Sequence, residues 1–253
     1  MKKTHFFMTI CLFSALYTQA QDNHKGEKEP TKPEETEFYE PVPPTVTPAT
    51  KDKAPSDATV LFDGKNLDAW VSTKSGSKAS WTLNRDGSMS VKPGAGDIQT
   101  KKSFGDVQLH IEWRSPEKIE GDGQNRGNSG IFLQDRYEIQ VLDNNDNDTY
   151  VNGQVGAVYK QFVPLAKASV KTGDWNTYDI IYHAPEFDEA GNKTKPATVT
   201  VLHNGILVQD HVLIKGTTEY IGWPKNDPHG EGPIRLQDHG SAVSYRNIWI
   251  REL

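Results

Sequence analysis

Three short segments of the sequence alternate apolar residues with carboxylate, amide, guanidinium or imidazole side chains. They are VQLHIEWR at residues 107–114, YEIQV at residues 137–141 and IRLQDH at residues 234–239. Successive side chains of a β-strand point to opposite faces, so each segment predicts a strand with one apolar face and one polar face. The residues on the polar faces are His110, Glu112, Arg114, Glu138, Gln140, Arg235, Gln237 and His239.

These polar faces fit either ordinary solvent-exposed surface or the floor of a functional site. Exposed faces are common in antiparallel sandwiches and typically carry Lys, Thr and Ser, but the three segments contain none of these residues. Glutamate is depleted in strands and costly to bury without a partner, which makes Glu138 unusual. If the three strands are neighbours, their polar faces form one surface, and its composition favours a functional site.

Such a surface suits a carbohydrate ligand. Amide, carboxylate and guanidinium groups form paired hydrogen bonds with hydroxyls, and aromatic rings stack on the apolar C–H faces of sugars. Tyr159, Trp175 and Trp223 lie in or near loops and are candidates for stacking. Aromatic residues in such places also serve as core or rim packing, so each one alone is a weak signal.

Charge and cysteine content exclude several classes of function. The formal net charge of −6 disfavours nucleic acid or an anionic membrane surface as a partner, because both require a basic patch. The only cysteine, Cys11, lies in an apolar N-terminal run. The rest of the chain therefore offers no disulfide, no thiolate nucleophile and no cysteine-bound zinc.

The chain divides into three parts by composition. Residues 1–20 predict a signal peptide, because two lysines precede an apolar run that is too short to span a membrane. We therefore expect export to the periplasm or the cell exterior. Residues 21–57 are rich in charge and then in proline, which predicts a partly disordered linker. Residues 58–253 are predicted to form one domain.

The pattern of this domain predicts an all-β fold. Short alternating segments are separated by clusters of Gly, Asn, Asp and Pro, as is typical of sandwiches and barrels. Turns between paired strands are predicted at Asp86-Gly87, Asp135-Arg136 and Asn204-Gly205. No segment has the periodicity of a long amphipathic helix.

A polar loop containing Asp143, Asp146 and Asp148 is similar to a calcium-binding loop. It lacks the glycine that an EF-hand requires at its sixth position, and its twelfth position is Gln154 rather than glutamate. A polar turn is favoured over a single calcium site. Motifs for zinc, a dinucleotide or a serine esterase are also absent from the sequence, so we expect neither a metal nor a cofactor.

Several motifs together resemble the DUF1080 family, also called the 3-keto-disaccharide hydrolase domain. They are LFDGKNLDAW at 61–70, NSGIFLQ at 128–134, YEIQVLDN at 137–144, WNTYDI at 175–180, LHNG at 202–205, and IRLQDHG followed by YRNIWI within 234–250. The resemblance spans residues 58–253, and the proline-rich segment before them is similar to that of secreted members from Bacteroidetes. It implies a concanavalin A-like jelly-roll sandwich of two antiparallel sheets.

The resemblance also implies a chemical task, because some family members cleave glycosides that are oxidised to a ketone at C3. The ketone acidifies the C2–H bond, so a carboxylate can remove this proton and the glycosidic oxygen can leave before water adds. Under this hypothesis Glu138 is the base, and Glu112 or His239 is the acid. The predicted sugar contacts are Arg114, Arg126, Asn128, Gln140, Asp143, Tyr159, Gln237 and Trp223.

Two other functions remain open at this point. The domain could bind glycans without cleaving them, because fold alone does not imply activity. It could also be a two-carboxylate glycosidase, with carboxyl groups about 5–5.5 Å or roughly 6.5–9.5 Å apart. An enzyme needs Glu112 and Glu138 in one concave pocket with a shifted pKa, whereas a binding module needs only aromatic and amide groups.

Overall fold

The computed structural model describes residues 28–51 and 53–253. The predicted signal peptide at residues 1–20 lies outside these residues. Within the described ranges, no helix is both long enough and apolar enough to cross a membrane.

Residues 46–253 form one compact unit that contains the predicted domain. Residues 28–45 belong to a separate unit and are exposed. They include one turn of 3-10 helix at Pro33–Thr36.

The described residues form fifteen β-strands, and their helices are single 3-10 turns. The strands are β1 (Thr59–Phe62), β2 (Trp70–Ser72), β3 (Thr82–Leu83), β4 (Met89–Ser90), β5 (Ile98–Thr100), β6 (Val107–Arg114), β7 (Ser129–Leu133), β8 (Tyr137–Val141), β9 (Asn176–His183), β10 (Glu186–Phe187), β11 (Lys193–Lys195), β12 (Thr198–His203), β13 (Ile206–Leu213), β14 (Arg235–Leu236) and β15 (Ser244–Glu252).

Eight strands form an antiparallel sheet that we call the large sheet. Seven of them follow the order β13-β12-β9-β6-β15-β4-β3, and β1 also pairs with β15. Buried and half-buried residues alternate along the whole of β6. Leu109, Ile111 and Trp113 of this strand join the core. The polar face of β6 therefore points away from the core.

Five strands form a second antiparallel sheet, the small sheet, in the order β2-β5-β14-β7-β8. Strands β7 and β8 are the predicted hairpin, and Gln134 and Asp135 have positive φ in its turn. The outer edge of β8 does not remain open, because residues 156–159 exchange backbone hydrogen bonds with Glu138 and Gln140. Covering an edge in this way prevents pairing with another chain.

The two sheets pack face to face on one hydrophobic core, and three buried tyrosines connect them. The hydroxyl of Tyr178 donates to the backbone oxygen of Gln140 at 2.8 Å. The hydroxyl of Tyr182 donates to Gln134 Oε1 at 2.7 Å, and that of Tyr245 donates to a serine hydroxyl of β7 at 2.7 Å. Each tyrosine thus extends from the large sheet to the hairpin of the small sheet.

This architecture confirms the prediction of an all-β jelly-roll sandwich with two antiparallel sheets. The three predicted turns also connect paired strands, namely β3 with β4, β7 with β8, and β12 with β13.

We expect Tyr178→Phe to lower the free energy of unfolding by about 1 kcal/mol, because a buried hydrogen bond between the sheets is lost. The affected backbone oxygen keeps a second donor, the N–H of Gly156 at 3.0 Å, which limits the cost. Urea denaturation of the purified protein measures the change. Tyr220→Phe is the matched control, because Tyr220 is 72% exposed and its replacement should change stability by less than about 0.5 kcal/mol. Equal stabilities of the two variants would contradict the prediction.

Candidate active site

The small sheet carries a cavity of about 260 Å³ on the face that points away from the core. Pockets for small molecules usually measure about 300–1,000 Å³, so this one suits a ligand of roughly one ring. We call it the Glu138 cavity. Its lining residues are Asn128, Phe132, Glu138, Gln140, Tyr159, Thr218, Tyr220, Arg235, Gln237 and His239.

The pairing of three strands brings the floor of this cavity together. Phe132 of β7 lies opposite both Glu138 of β8 and Arg235 of β14. Gly130 lies opposite Gln140. The backbone oxygen of Gly130 accepts a hydrogen bond from the N–H of Gln237. Because side chains alternate, these positions lie on one face of the sheet in two adjacent rows.

Gly130 makes room for the carboxyl group of Glu138. A Cβ atom at this position would lie 2.5 Å from Glu138 Oε1 and 2.8 Å from Cε2 of Phe132. Real side chains do not approach so closely, so the close packing requires glycine here. The carboxyl group of Glu138 and the ring of Phe132 occupy the space that a side chain at position 130 would need.

The carboxyl group of Glu138 is buried, with the residue 5% exposed. Burial raises the pKa of Glu138 to about 8. The positive charge of Arg235 opposes this rise, whereas the negative charge of Asp97 contributes to it. Arg235 has only a limited effect because it is paired elsewhere. Its guanidinium lies 2.6 Å from Asp97, also contacts Asp135, and stacks on the ring of Phe132 at 3.5 Å.

Three buried amide oxygens in the cavity lack a hydrogen-bond partner among the described residues. They are Asn128 Oδ1, Gln140 Oε1 and Gln237 Oε1. A buried unpartnered acceptor costs about 1–3 kcal/mol, so three in one small cavity call for an explanation. A ligand that donates several hydroxyl protons would satisfy them.

Tyr159 and Tyr220 line one wall of the cavity, and Tyr150 and Lys160 pack against them. Tyr159 is buried, and its hydroxyl lies 2.6 Å from the hydroxyl of Tyr150. Burial and the contact with Tyr150 raise the pKa of Tyr159 above its ordinary value, so the phenol remains protonated. Lys160 Nζ lies 5.7 Å from both of these rings and 4.5 Å from the ring of Tyr220. The wall thus combines apolar ring surface with proton donors.

Several of the predicted site residues meet in this cavity. Glu138 and the amides occupy its floor, whereas His239 is exposed at its opening. The predicted residues that line it are Asn128, Glu138, Gln140, Tyr159, Gln237 and His239.

The predicted convergence of all three polar strands is wrong for Glu112 and Arg114. Both residues belong to β6, which is in the large sheet, while Glu138 is in the small sheet. Glu112 accepts hydrogen bonds from Arg246 at 2.6 Å and from Asn247 at 2.8 Å. Although burial alone would raise its pKa, hydrogen bonds from these side chains and a neighbouring histidine lower the pKa to about 2.

Glu112 instead lines a separate cavity of about 730 Å³ together with Arg246 and Asn247. The predicted pairing of Glu112, as the acid, with Glu138 in one site is therefore wrong, because the two carboxyl groups lie on different sheets. Arg114 pairs with Asp86 at 2.9 Å and stacks on Trp175 at 4.6 Å. Neither residue can contact a ligand in the Glu138 cavity.

Arg126 and Asp143 also lie outside the cavity. They form a buried ion pair of 3.0 Å and line a neighbouring cavity of about 290 Å³. Both oxygens of Asp143 are engaged, since Thr172 donates to each of them at 3.0 Å and Asn145 donates to one. The carboxylate of Asp143 therefore organises the loop around it. Within residues 28–51 and 53–253, no three His, Cys, Asp or Glu side chains gather as metal ligands.

The predicted stacking residue Trp223 is 89% exposed and does not line the cavity. Tyr220, from the same loop, does so instead. Arg235 and Phe132 also line the cavity but were not among the predicted sugar contacts. Arg235 belongs to the alternating segment 234–239, so the pattern contained a signal for it, whereas the loop residue Tyr220 has none.

Comparison with known proteins identifies related sequences. The family model for the 3-keto-alpha-glucoside-1,2-lyase-like domain matches residues 57–251. A 3-keto-disaccharide hydrolase of Bacteroides thetaiotaomicron is 23% identical over 308 residues, and the match covers 100% of both chains.

Solved structures give a similar result. A candidate glycosyl hydrolase from Parabacteroides distasonis is 57% identical, with a TM-score of 0.85 over 88% of this chain and 97% of that one. A second candidate glycosyl hydrolase from the same species is 22% identical, with a TM-score of 0.56 over 78% and 94% of the two chains. The second likeness supports the fold alone.

We expect Gly130→Ala to lower the free energy of unfolding by about 1–3 kcal/mol, because the new methyl group overlaps the Glu138 carboxyl and the Phe132 ring. Urea denaturation at a pH near 6 measures the effect. Gly230→Ala is the matched control, since a Cβ there meets no atom within 4 Å. Similar losses in both variants would show that the close packing at Gly130 is not the cause.

The raised pKa of Glu138 also predicts how stability depends on pH. Below the ordinary pKa of 4.5, folded and unfolded chains both carry this proton. Between pH 4.5 and about 8 only the folded chain retains it, so rising pH favours unfolding. We therefore compare the free energy of unfolding of the wild type with that of Glu138→Gln. Between pH 5 and pH 8 the wild type should lose on the order of a few kcal/mol relative to the variant, and above pH 8 the difference should stay constant.

Denaturation series of both proteins at several pH values measure this difference. Glu189→Gln, a change at an exposed glutamate, serves as the control and should track the wild type at each pH. A constant difference between wild type and Glu138→Gln across the range would contradict the raised pKa.

Proposed function

Because the chain belongs to the 3-keto-alpha-glucoside-1,2-lyase-like domain family, we propose that it is a carbohydrate-active, glycosyl hydrolase-like protein that cleaves 3-keto-glycosides in the Glu138 cavity. Two relatives carry names of this kind, one a 3-keto-disaccharide hydrolase and the other a candidate glycosyl hydrolase. The ligand is a sugar, and one ring occupies the cavity.

The observation that supports this proposal best is the buried carboxyl of Glu138 beside unpartnered amide oxygens. Proton abstraction next to a ketone needs a base whose pKa is close to the working pH, because a weaker base reacts slowly and a stronger base is protonated. A pKa of about 8 meets this requirement. The amide oxygens hold the sugar by accepting its hydroxyl protons.

The reaction begins when the ionised carboxylate of Glu138 takes the proton from C2 of the 3-keto sugar. The electrons of the C–H bond form the C2=C3 double bond of an enolate, and negative charge moves to the C3 oxygen. The C3 carbonyl then re-forms, a C1=C2 double bond appears and the C1–O bond breaks. The departing oxygen takes up a proton, and addition of water across C1=C2 completes the hydrolysis.

Other residues of the cavity assist the two charged stages. Tyr159 stays protonated, and its hydroxyl can turn from Tyr150 to donate its hydrogen to the enolate oxygen. His239 lies at the exposed opening, where the leaving group must depart, and we assign it the delivery of the proton. Asn128 and Gln237 hold hydroxyl groups of the ring.

Two alternatives are less well supported. A non-catalytic glycan-binding module would account for the amide oxygens, but it leaves the buried carboxyl of Glu138 without a task. A two-carboxylate glycosidase needs a second carboxyl in the same cavity. Of the described residues, Glu138 is the only carboxylic acid that lines it, because Glu112 lies on the other sheet.

Export of the protein is a separate proposal. It rests on the signal-peptide pattern of residues 1–20. The N-terminal sequence of the protein isolated from its host would test it, and a chain that still begins at Met1 would contradict it.

The test of the reaction is turnover of a 3-keto-disaccharide beside its unoxidised parent. We expect cleavage of the keto sugar alone, with kcat/KM rising through an apparent pKa near 8, because only ionised Glu138 is active. Glu138→Gln should lower kcat/KM by about 10²- to 10⁴-fold. Glu112→Gln is the matched control, because it makes the same change on the other sheet and should retain turnover.

The outcomes separate the three functions. Cleavage of the unoxidised parent would indicate an ordinary glycosidase. Saturable binding of both sugars without cleavage would indicate a binding module. Equal losses in Glu138→Gln and Glu112→Gln would remove the special role assigned to Glu138.

A further inference from the structure

Gln124 does not line the Glu138 cavity, but it lies directly behind two amides that do. It belongs to a 3-10 turn at Gly123–Asn125, in the loop that precedes β7. Its side-chain Oε1 accepts a hydrogen bond from Gln140 Nε2 at 2.9 Å. Its backbone oxygen accepts one from Asn128 Nδ2 at 2.7 Å. Gln124 thus accepts hydrogen bonds from the side-chain amide nitrogens of two residues that line the cavity.

The position of Gln124 is itself held by the polar loop that follows β8. Its Nε2 donates to the hydroxyl of Thr149 at 2.8 Å and to the backbone oxygen of Gly153 at 2.9 Å. Asn147, from the same loop, also holds the turn. Its Oδ1 accepts a hydrogen bond from the N–H of Gly123 at 2.6 Å, and its Nδ2 donates to the backbone oxygen of Gly123 at 3.0 Å. Because its nitrogen faces oxygen acceptors, the amide of Gln124 has one favourable orientation.

This arrangement determines which end of each cavity amide faces the ligand. Gln140 Nε2 donates to Gln124 Oε1 and also to the backbone oxygen of Gly153 at 3.2 Å, so both of its hydrogens are used. A flipped amide would place its oxygen against two other oxygens. Gln140 Oε1 and Asn128 Oδ1 are therefore the atoms left without partners in the cavity.

We infer that Gln124 is a positioning residue that turns the amide oxygens of Gln140 and Asn128 toward the ligand, and so makes this part of the cavity floor select hydroxyl donors. The inference rests on the proposed function, in which the cavity binds a sugar. A ketone oxygen carries no hydrogen and is repelled by amide oxygens. The sugar therefore binds with its hydroxyls toward these amides and its C3 ketone toward the Tyr159 hydroxyl.

Gln124→Met tests the side-chain part of the inference, because methionine has a similar size but cannot accept the hydrogen bond from Gln140 Nε2. The backbone oxygen of residue 124 remains, so the bond from Asn128 is retained as an internal reference. The matched control is Gln154→Met, which removes a buried glutamine of the neighbouring loop that bonds to Asn144 and the backbone of Thr149. Gln154→Met also loses two side-chain hydrogen bonds, but Gln154 makes none with Gln140 or Asn128.

The first readout is the affinity for methyl α-glucoside and for derivatives with one hydroxyl at a time replaced by fluorine, which only accepts. Wild-type protein and Gln154→Met should bind at least one fluorinated derivative about tenfold more weakly than the parent. In Gln124→Met the amide of Gln140 keeps only its longer bond, to the backbone oxygen of Gly153 at 3.2 Å, so its orientation is held less firmly and this discrimination should fall to less than about twofold. Wild-type discrimination in Gln124→Met, or its loss in Gln154→Met, would overturn the inference.

The second readout needs no ligand. Side-chain amide protons of Gln140 should exchange slowly with solvent in wild type and Gln154→Met, and faster in Gln124→Met, as measured by NMR. Those of Asn128 keep their backbone acceptor and should exchange at the same rate in all three proteins. Unchanged exchange in Gln124→Met would overturn the positioning role. Faster exchange in Gln124→Met, together with no binding of methyl α-glucoside or of its 3-keto derivative by the wild type, would instead support positioning and reject the proposed sugar ligand.

Discussion

The burial of the Glu138 carboxyl without a counter-charge of its own is the constraint on which the site depends. Water would stabilise the ionised form, and the cavity removes most of that water, which raises the pKa of the group to about 8. The nearest guanidinium, that of Arg235, is paired with Asp97 and Asp135. Gly130 allows the carboxyl to sit against the sheet. The protein thus keeps a carboxyl that is easily protonated, at a cost in stability that active sites commonly carry.

A buried carboxyl group such as that of Glu138 needs rigid strands around it, and the large sheet supports these strands through the core. Tyr178 donates to the backbone of Gln140, and Tyr245 donates to the hydroxyl of Ser129 on the paired strand. In the plane of the sheet, the backbone N–H of Glu138 donates to Thr218 Oγ1 at 2.9 Å. The two strands that carry the site are therefore held both from the core face and along their backbone, and residues on such strands are positioned more precisely than residues on free loops.

The sequence predicted the faces of the strands well but not the sheets to which the strands belong. Alternation is a local property, so the polar faces around Glu138 and Glu112 and the hairpin at Asp135 could be recognised directly. Sheet membership depends on pairing between distant segments, and nothing in the local pattern distinguishes β6 from β8. Loop residues such as Gln124 and Tyr220 have no periodicity, so their contacts with the cavity emerge only from the folded chain.

Comparison of Glu112 with Glu138 shows why local pattern cannot assign chemistry. Both are mid-strand glutamates that alternate with apolar residues, and burial opposes the ionisation of both. Arg246 and Asn247 donate directly to Glu112, and its pKa falls to about 2. Glu138 receives no such side-chain donor among the described residues, and its pKa rises to about 8. The number of donors that the fold brings to each carboxyl, and not the residue or its spacing, decides which one can accept a proton from a ligand.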